Sequence, residues 1–260
     1  MMRGSSGASF RIDPIMKCVH KRGGYRVGAQ GKWLYKHNGI GCLPCVYEYD
    51  RSEYRMEFLH EIDLNTVDHK LLLEVVCKLL RKQIWSLAPV VKLDLNAHIA
   101  KRASLRNRAQ ISSRYYAYLA AAGALIEWET LETGLIHGDP IIDNVMREMD
   151  SDVPPVTRIV IIDPLPATPT EPDILAVDRG KLLQSALGYE SIRYDLEHYA
   201  PCTINETFDL FEITAPNERL ATVYFTIFHF MRTAPYINPS TMKQLQLCLD
   251  PCFKYLQETL

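Results

Sequence analysis

Three polar side chains stand close together late in the first 165 residues of this 260-residue chain. Asp139 follows Leu135-Ile-His-Gly, Asn144 comes five places later, and Asp163 ends the run Ile159-Val-Ile-Ile. Transfer of a phosphoryl group needs a carboxylate to hold and deprotonate the accepting hydroxyl, and oxygen ligands to fix Mg²⁺ against the phosphates. A loop, a strand, a turn and a second strand can bring all three side chains to one side of a cleft. Each also has a plainer explanation: a turn residue beside Gly138 and Pro140, a strand-entry cap, and a cap before Pro164. It is their types, spacing and context taken together that favour the chemical reading.

His137-Gly-Asp139-x-x-x-x-Asn144 resembles the catalytic loop of the aminoglycoside phosphotransferase and choline kinase superfamily, the small-molecule relatives of protein kinases. Ile162-Asp163-Pro164 resembles the metal-binding aspartate segment that follows it there. Asp178-Arg-Gly-Lys181 resembles the Asp-x-x-Lys opening of the next helix, whose aspartate braces the catalytic loop. The resemblance implies an α+β, two-lobed protein kinase-like fold, a kinase activity, and ATP and Mg²⁺ as cofactors. It makes Asp139 the catalytic base and Asn144 and Asp163 the metal ligands, with His137 and Asp178 in support. In the first lobe, Gly4-Ser5-Ser6-Gly7 resembles the glycine-rich turn over the phosphates. Lys17, in Ile-Met-Lys-Cys-Val, resembles the strand lysine on the α- and β-phosphates, with Lys21 and Lys32 as competitors. Met56-Glu57-Phe58-Leu59 resembles the hinge that bonds adenine through its backbone. The following helix offers no acid where that lysine would find its partner; Gln30 and Glu48 stand nearest. The implied domains are 1–60, a nucleotide-binding lobe ending in the hinge, and 61–260, a helical lobe carrying the catalytic loop.

The elements needed to hold these residues are visible as patterns. Ser9–Asp13 and Ile15–Val19 read as strands joined by a two-residue turn at Asp13-Pro14, and Cys45–Tyr49 and Tyr54–Leu59 as a second pair around Asp50-Arg-Ser-Glu53. Residues 25–37 have helical content around Trp33. Leu72, Val75, Val76, Leu79, Leu80 and Ile84 recur at helical spacing, with Asn65 or Thr66 as cap and Pro89 as stop. Residues 97–128 form a long helical pattern whose scattered arginines read as a solvated face rather than a nucleic-acid surface. Two short strands, 144–146 and 158–163, precede helices that run from Asp178 to the terminal stretch 240–260. Gly188 stops the first of these helices.

Composition sets the wider limits. With 47% hydrophobic and 23% charged residues the chain is an ordinary globular sequence, which excludes wholesale disorder and a disulfide-stapled miniprotein. No apolar window reaches a membrane span and no secretory signal is visible, so a soluble, cytoplasmic protein is expected. Seven irregularly spaced cysteines read as structural, including Cys42-Leu-Pro-Cys45 and the Cys248/Cys252 pair. Residues 131–260 carry 19 acids against 9 bases, while 1–130 carry 12 against 20. That asymmetry suits a triphosphate on the first half and a cationic acceptor on the second. Asp143, Glu190 and Asp195 are the candidate acceptor contacts, and the acceptor would be a small hydroxylated molecule: a sugar, amino-sugar, aminoglycoside or choline-like compound. The Lys-Leu-x-x-Ser-x-x-Gly-Tyr phrasing of 181–189 leans towards sugar chemistry. A protein kinase would show an Ala-Pro-Glu-like anchor after Asp163, and there is none. A pseudokinase acting as a nucleotide-binding interaction module would be expected to lack Asp139, Asn144 or Asp163, and all three are present.

Overall fold

A computed structural model describes residues 2–3, 8–23, 26–87, 113–148, 158–165, 173–194, 196, 199, 201–233 and 239–259. The first part of the chain builds an antiparallel sheet from β1 (Met2–Arg3), β2 (Ser9–Asp13), β3 (Cys18–Arg22), β4 (Val46–Tyr49) and β5 (Glu53–Glu57). Their spatial order is β1-β2-β3-β5-β4, with α1 (Val27–Lys36) packed on the sheet. α1 buries Val27, Gln30, Gly31, Trp33 and Leu34, a helical stripe facing the sheet.

The turn between β2 and β3 overturns the expected two-residue connection and the strand over 15–19. β3 begins at Cys18, and residues 14–17 form the turn. The cause is Asp13, whose Oδ1 accepts the amides of Ile15 at 3.1 Å and Met16 at 2.9 Å, so the chain wraps round that carboxylate. Lys17 closes the turn in the left-handed region at φ 46° and is exposed. Register then runs from Asp13↔Cys18 to Ser9↔Arg22. Side chains alternate along a strand, so Val19 and Lys21 share the buried face.

Beyond Phe58 and Leu59 the chain leaves this sheet. β6 (His60–Glu61) pairs with β8 (Val145–Glu148), which pairs with β9 (Arg158–Ile161), giving a three-stranded sheet in the order β6-β8-β9. β7 (Thr133–Gly134) and β10 (Asp173–Ile174) form a separate two-stranded pair. After β6 comes α2 (His69–Leu80), capped by Asp68, whose side chain accepts the Leu71 amide, rather than by Asn65 or Thr66. Those two residues are taken by a turn on Asp63. α2 runs on into a π-helical turn, Arg81–Trp85, a form often found where a helix is re-aimed for a site. Pro89, and the first half of the pattern over 97–128, lie outside the described residues; α3 (Ser113–Leu125) falls in its described half.

The remainder is mainly helical: α4 (Ala176–Ala186), α5 (Tyr189–Tyr194), α6 (Ile204–Leu210), α7 (Pro216–Thr233) and α8 (Met242–Thr259). Every residue of α4 is buried, including Asp178, Arg179, Lys181, Gln184 and Ser185. A helix that buries five polar side chains is held for something other than apolar packing. It lies directly on α7 because Gly180 has no side chain: a Cβ there would stand 2.8 Å from that of Phe225. Arg179 ties α4 to Glu218 at 2.7 Å and to Glu132. Gly188, at φ 101°, turns the chain out of α4.

The seven cysteines are free thiols, and only Cys45 is exposed. Burial pushes the Cys42 thiol up to about 12, the opposite of what a redox nucleophile needs. Among the described residues no helix is long and apolar enough to cross a membrane.

Candidate active site

The loop that carries Asp139 is shaped from below by one carboxylate. Asp178, in the first turn of α4, accepts the amides of His137 at 2.8 Å and Gly138 at 2.6 Å, and the Trp85 indole N–H at 2.9 Å. The π-helical turn after α2 is what aims that indole. Gly138 is in the left-handed region at φ 84°, which a side chain would strain. Burial drives the Asp178 carboxyl up to about 6, against the pull of those three bonds. His137 is fully buried, and burial pushes its imidazole down to about 4, so it is neutral near pH 7. Its Nδ1 accepts the Asp139 amide at 3.4 Å, and its ring meets Trp33 of α1 edge-on at 6.2 Å. These contacts make it a loop-shaping residue.

Asp139 faces a buried cation. The Lys181 ammonium stands 2.9 Å from Asp139 Oδ1 and also donates to Gln184 Oε1 at 3.1 Å. Oδ1 is the buried oxygen of the carboxylate, and the side chain as a whole is 17% exposed. Burial alone would raise the Asp139 carboxyl, but the charges of Lys181 and Arg232 outweigh it and hold the group below the usual aspartate value. Sequence reasoning gave Lys181 no role. The available signal was its place three residues after Asp178 on a helix, which puts both side chains on the face turned to the loop.

Asn144 and Asp163 leave the same end of the β8–β9 hairpin. Val145 is paired with Ile161, and the Ile162 amide continues the ladder to the Asn144 carbonyl at 2.9 Å. Asn144 donates its Nδ2 to the Asp139 carbonyl at 2.9 Å, which turns its Oδ1 away from that bond. Asp163 is a non-glycine residue in the left-handed region at φ 59°, a strained conformation of the kind found at functional sites. Its Oδ1 receives the buried Lys21 ammonium of β3 and the Tyr54 hydroxyl at 3.4 Å.

The lysine assignment is therefore corrected. Lys17 sits in the exposed β2–β3 turn, whereas Lys21, 1% exposed, reaches Asp163. The four-residue turn at 14–17 is the physical reason. On α1, Gln30 occupies the buried position facing the site, and its Nε2 donates to the Pro164 carbonyl at 3.1 Å, next to Asp163. Glu48 is instead paired with Arg55 at 3.4 Å.

The hinge segment is also altered in detail. Met56 is buried in β5, Glu57 is ion-paired with Arg158, and Phe58 is half-buried. The Glu57 amide is donated to Cys45 and the Phe58 amide to Lys17, each at 3.0 Å, so neither is left for adenine. Gly4, Ser5, Ser6, Gly7 and Asp195 lie outside the described residues.

Of the other acceptor candidates, Glu190 is corrected. It is fully buried under Ser185, whose hydroxyl it accepts at 2.7 Å, so it cannot touch an acceptor. Asp143 lies beside Asn144 and is paired with Arg193 and Tyr194. Burial lifts the Glu190 carboxyl to about 7 from an ordinary 4.5. A folded-state value above the unfolded one gives stability that is complete below about pH 4.5 and is lost as pH rises through about 7. Glu190→Gln keeps an acceptor for Ser185 without titrating. Relative to the wild type it should gain about 3 kcal/mol between acid and mildly alkaline pH, read from urea melts at pH 5 to 8. A difference that stays flat with pH would refute the assignment.

No protein-family model matches the sequence, and no curated protein matches it. Solved structures do match in fold. A choline/ethanolamine kinase family protein from Mesorhizobium loti superposes with a TM-score of 0.60 at 14% identity, covering 99% of this chain and 87% of that one. A choline kinase from Streptococcus pneumoniae gives 0.56 at 15% identity, covering 98% and 92%. An aminoglycoside phosphotransferase from Alicyclobacillus acidocaldarius gives 0.54 at 14%, covering 99% and 91%. The chain thus has the two-lobed, protein kinase-like α+β fold of these small-molecule phosphotransferases.

Proposed function

We propose, with that shared fold as premise, that the chain is an ATP- and Mg²⁺-dependent kinase that moves the γ-phosphate of ATP to a hydroxyl of a small molecule. The observation that carries this reading is the meeting of two pairs from distant parts of the sequence: Lys21 with Asp163, and Lys181 with Asp139, on a loop bonded to Asn144. The donor set fits the metal. Asp163 and Asn144 offer hard oxygen atoms, which Mg²⁺ prefers, and the Asn144 bond to the Asp139 carbonyl is made through nitrogen. When bound, Mg²⁺ would neutralise phosphate charge and orient the triphosphate.

The chain's own residues divide the remaining work. The Asp139 carboxylate accepts the hydrogen bond of the acceptor hydroxyl and takes its proton as the new bond to phosphorus forms. Lys181 keeps that carboxylate ionised and fixes its direction. Lys21 supplies positive charge to the phosphates from the opposite lobe. Asp178 holds the His137 and Gly138 amides so that Asp139 is presented at a constant angle. In this reading residues 1–60 hold the nucleotide and 61–260 hold the acceptor. Any backbone amide donated to adenine falls at Leu59 or beyond, because the Glu57 and Phe58 amides are committed. Seven free cysteines suit a reducing cytoplasm.

A rival reading is a nucleotide-binding module that transfers nothing; it is favoured by Gln30, an uncharged residue where the strand lysine's acidic partner would stand. Turnover separates the two. Purified protein with ATP and Mg²⁺, screened against pools of sugars, aminoglycosides, choline and generic proteins, should release ADP with at least one pool, and Asp163→Ala should not. Nucleotide binding with no pool raising turnover above that control would favour the rival.

A further inference from the structure

One cluster beside the site is used neither by the proposed chemistry nor by the core. Asp143, next to Asn144, receives Arg193 Nη1 on Oδ2 at 2.6 Å and the Tyr194 hydroxyl on Oδ1 at 2.6 Å. The Arg193 guanidinium lies 5.0 Å from the Tyr194 ring centre and 5.9 Å from that of Tyr189. The Lys181 ammonium lies 6.0 Å from the same Tyr189 ring. Tyr189 therefore joins the Lys181–Asp139 pair to the Arg193–Asp143 pair, so the cluster adjoins Asp139. Tyr194 is 45% exposed, yet it is held at its hydroxyl and flanked by the guanidinium. An exposed aromatic fixed in this way is a surface built to be covered.

Charge decides what covers it. A quaternary ammonium or polyamine needs an uncompensated carboxylate or an aromatic cage. Among the described residues of the cluster, Asp143 is neutralised by Arg193, and Glu190 is buried beneath Ser185. Arg193 adds positive charge against the Tyr189 and Tyr194 rings, and Lys181 against that of Tyr189. What the cluster does offer is a fixed carboxylate next to a fixed guanidinium. That is an acceptor beside a donor, matching a pair of vicinal hydroxyls that each donate and accept. The Tyr194 ring supplies an apolar face for the C–H side of a saturated ring.

We propose that Asp143, Arg193 and Tyr194 form the acceptor platform and select an uncharged polyhydroxylated ring, a neutral sugar or cyclitol, over a cationic acceptor. The proposal rests on the kinase reading for the identity of Asp139 as base. In the transfer, the ring hydroxyl gives its proton to Asp139, the new oxygen–phosphorus bond forms, and the bond from the γ-phosphorus to the bridging oxygen breaks, releasing ADP.

Binding can be read without turnover. Saturation-transfer NMR with the whole chain, probed with glucose, galactose, N-acetylglucosamine and myo-inositol and separately with choline and kanamycin, should give signal from at least one neutral ring. Affinity for that ring should fall at least tenfold in Tyr194→Ala and in Arg193→Met, with Tyr194→Phe between these and wild type. Because Tyr194 is at the surface, circular dichroism of its variants should match wild type. No neutral ring binding, binding unaffected by the variants, or choline or kanamycin binding in their place overturns the proposal. ADP release with the bound ring then tests the kinase reading separately: a ring that binds at Tyr194 and is never phosphorylated keeps the platform and removes the kinase.

Discussion

Asp139→Asn should lower kcat by about 10²- to 10⁴-fold, the range associated with loss of a positioned general base. The change also leaves the buried Lys181 ammonium without its carboxylate, and breaking one side of a buried pair is strongly destabilising. Two effects are therefore mixed in the single variant. Pairing it with Lys181→Met removes the orphaned charge. The double variant should recover thermal stability towards wild type while activity stays at the level of Asp139→Asn. Steady-state ADP release and a melting curve on the three proteins measure both. Full activity in Asp139→Asn would end the assignment of this residue as base. Activity restored along with stability in the double variant would show that the loss came from folding.

Lys21→Met should reduce kcat/KM for ATP by about 10²- to 10³-fold, comparable to removing one preorganised donor from a site where charge develops. Lys17→Met should leave it within about twofold, since the side chain is exposed in the β2–β3 turn and Lys21 holds the contact with Asp163. The paired measurement discriminates between the motif position first suggested by sequence and the position the fold selects. Equal losses, or a loss confined to Lys17→Met, would contradict the β3 register.

That register shows where sequence reading stops. That His137, Asp139, Asn144 and Asp163 come together was legible because local spacing dictates it: they fall on one loop and one hairpin close in sequence. The two-lobed outline was legible for a similar reason, as short alternating strands give way to helical periodicity near residue 60. The strand lysine was not legible, because its identity depends on how many residues the β2–β3 turn consumes. The count is set by Asp13 capturing two amides, and a two-residue turn would have served the hydrophobic pattern almost as well. Lys181 escaped for the opposite reason. Charged residues on a helix usually face water, and only the packing of α4 on α7 through Gly180 shows that this helix has no solvent side. The α2 cap was misplaced by three residues or fewer, because Asp63 and Asp68 both offer capping oxygens and only the fold assigns one to a turn and the other to the helix.

The Gln30 contact with the Pro164 carbonyl has a consequence for how α1 responds to its surroundings. An amide bonded to a main-chain carbonyl carries no net charge on either side, so dissolved salt does not screen it and no proton within the physiological range breaks it. A helix held against the Asp163 segment by a glutamate–lysine bond would loosen as ionic strength rose. The Gln30 bond gives α1 a seat beside Asp163 that should hold as salt is added.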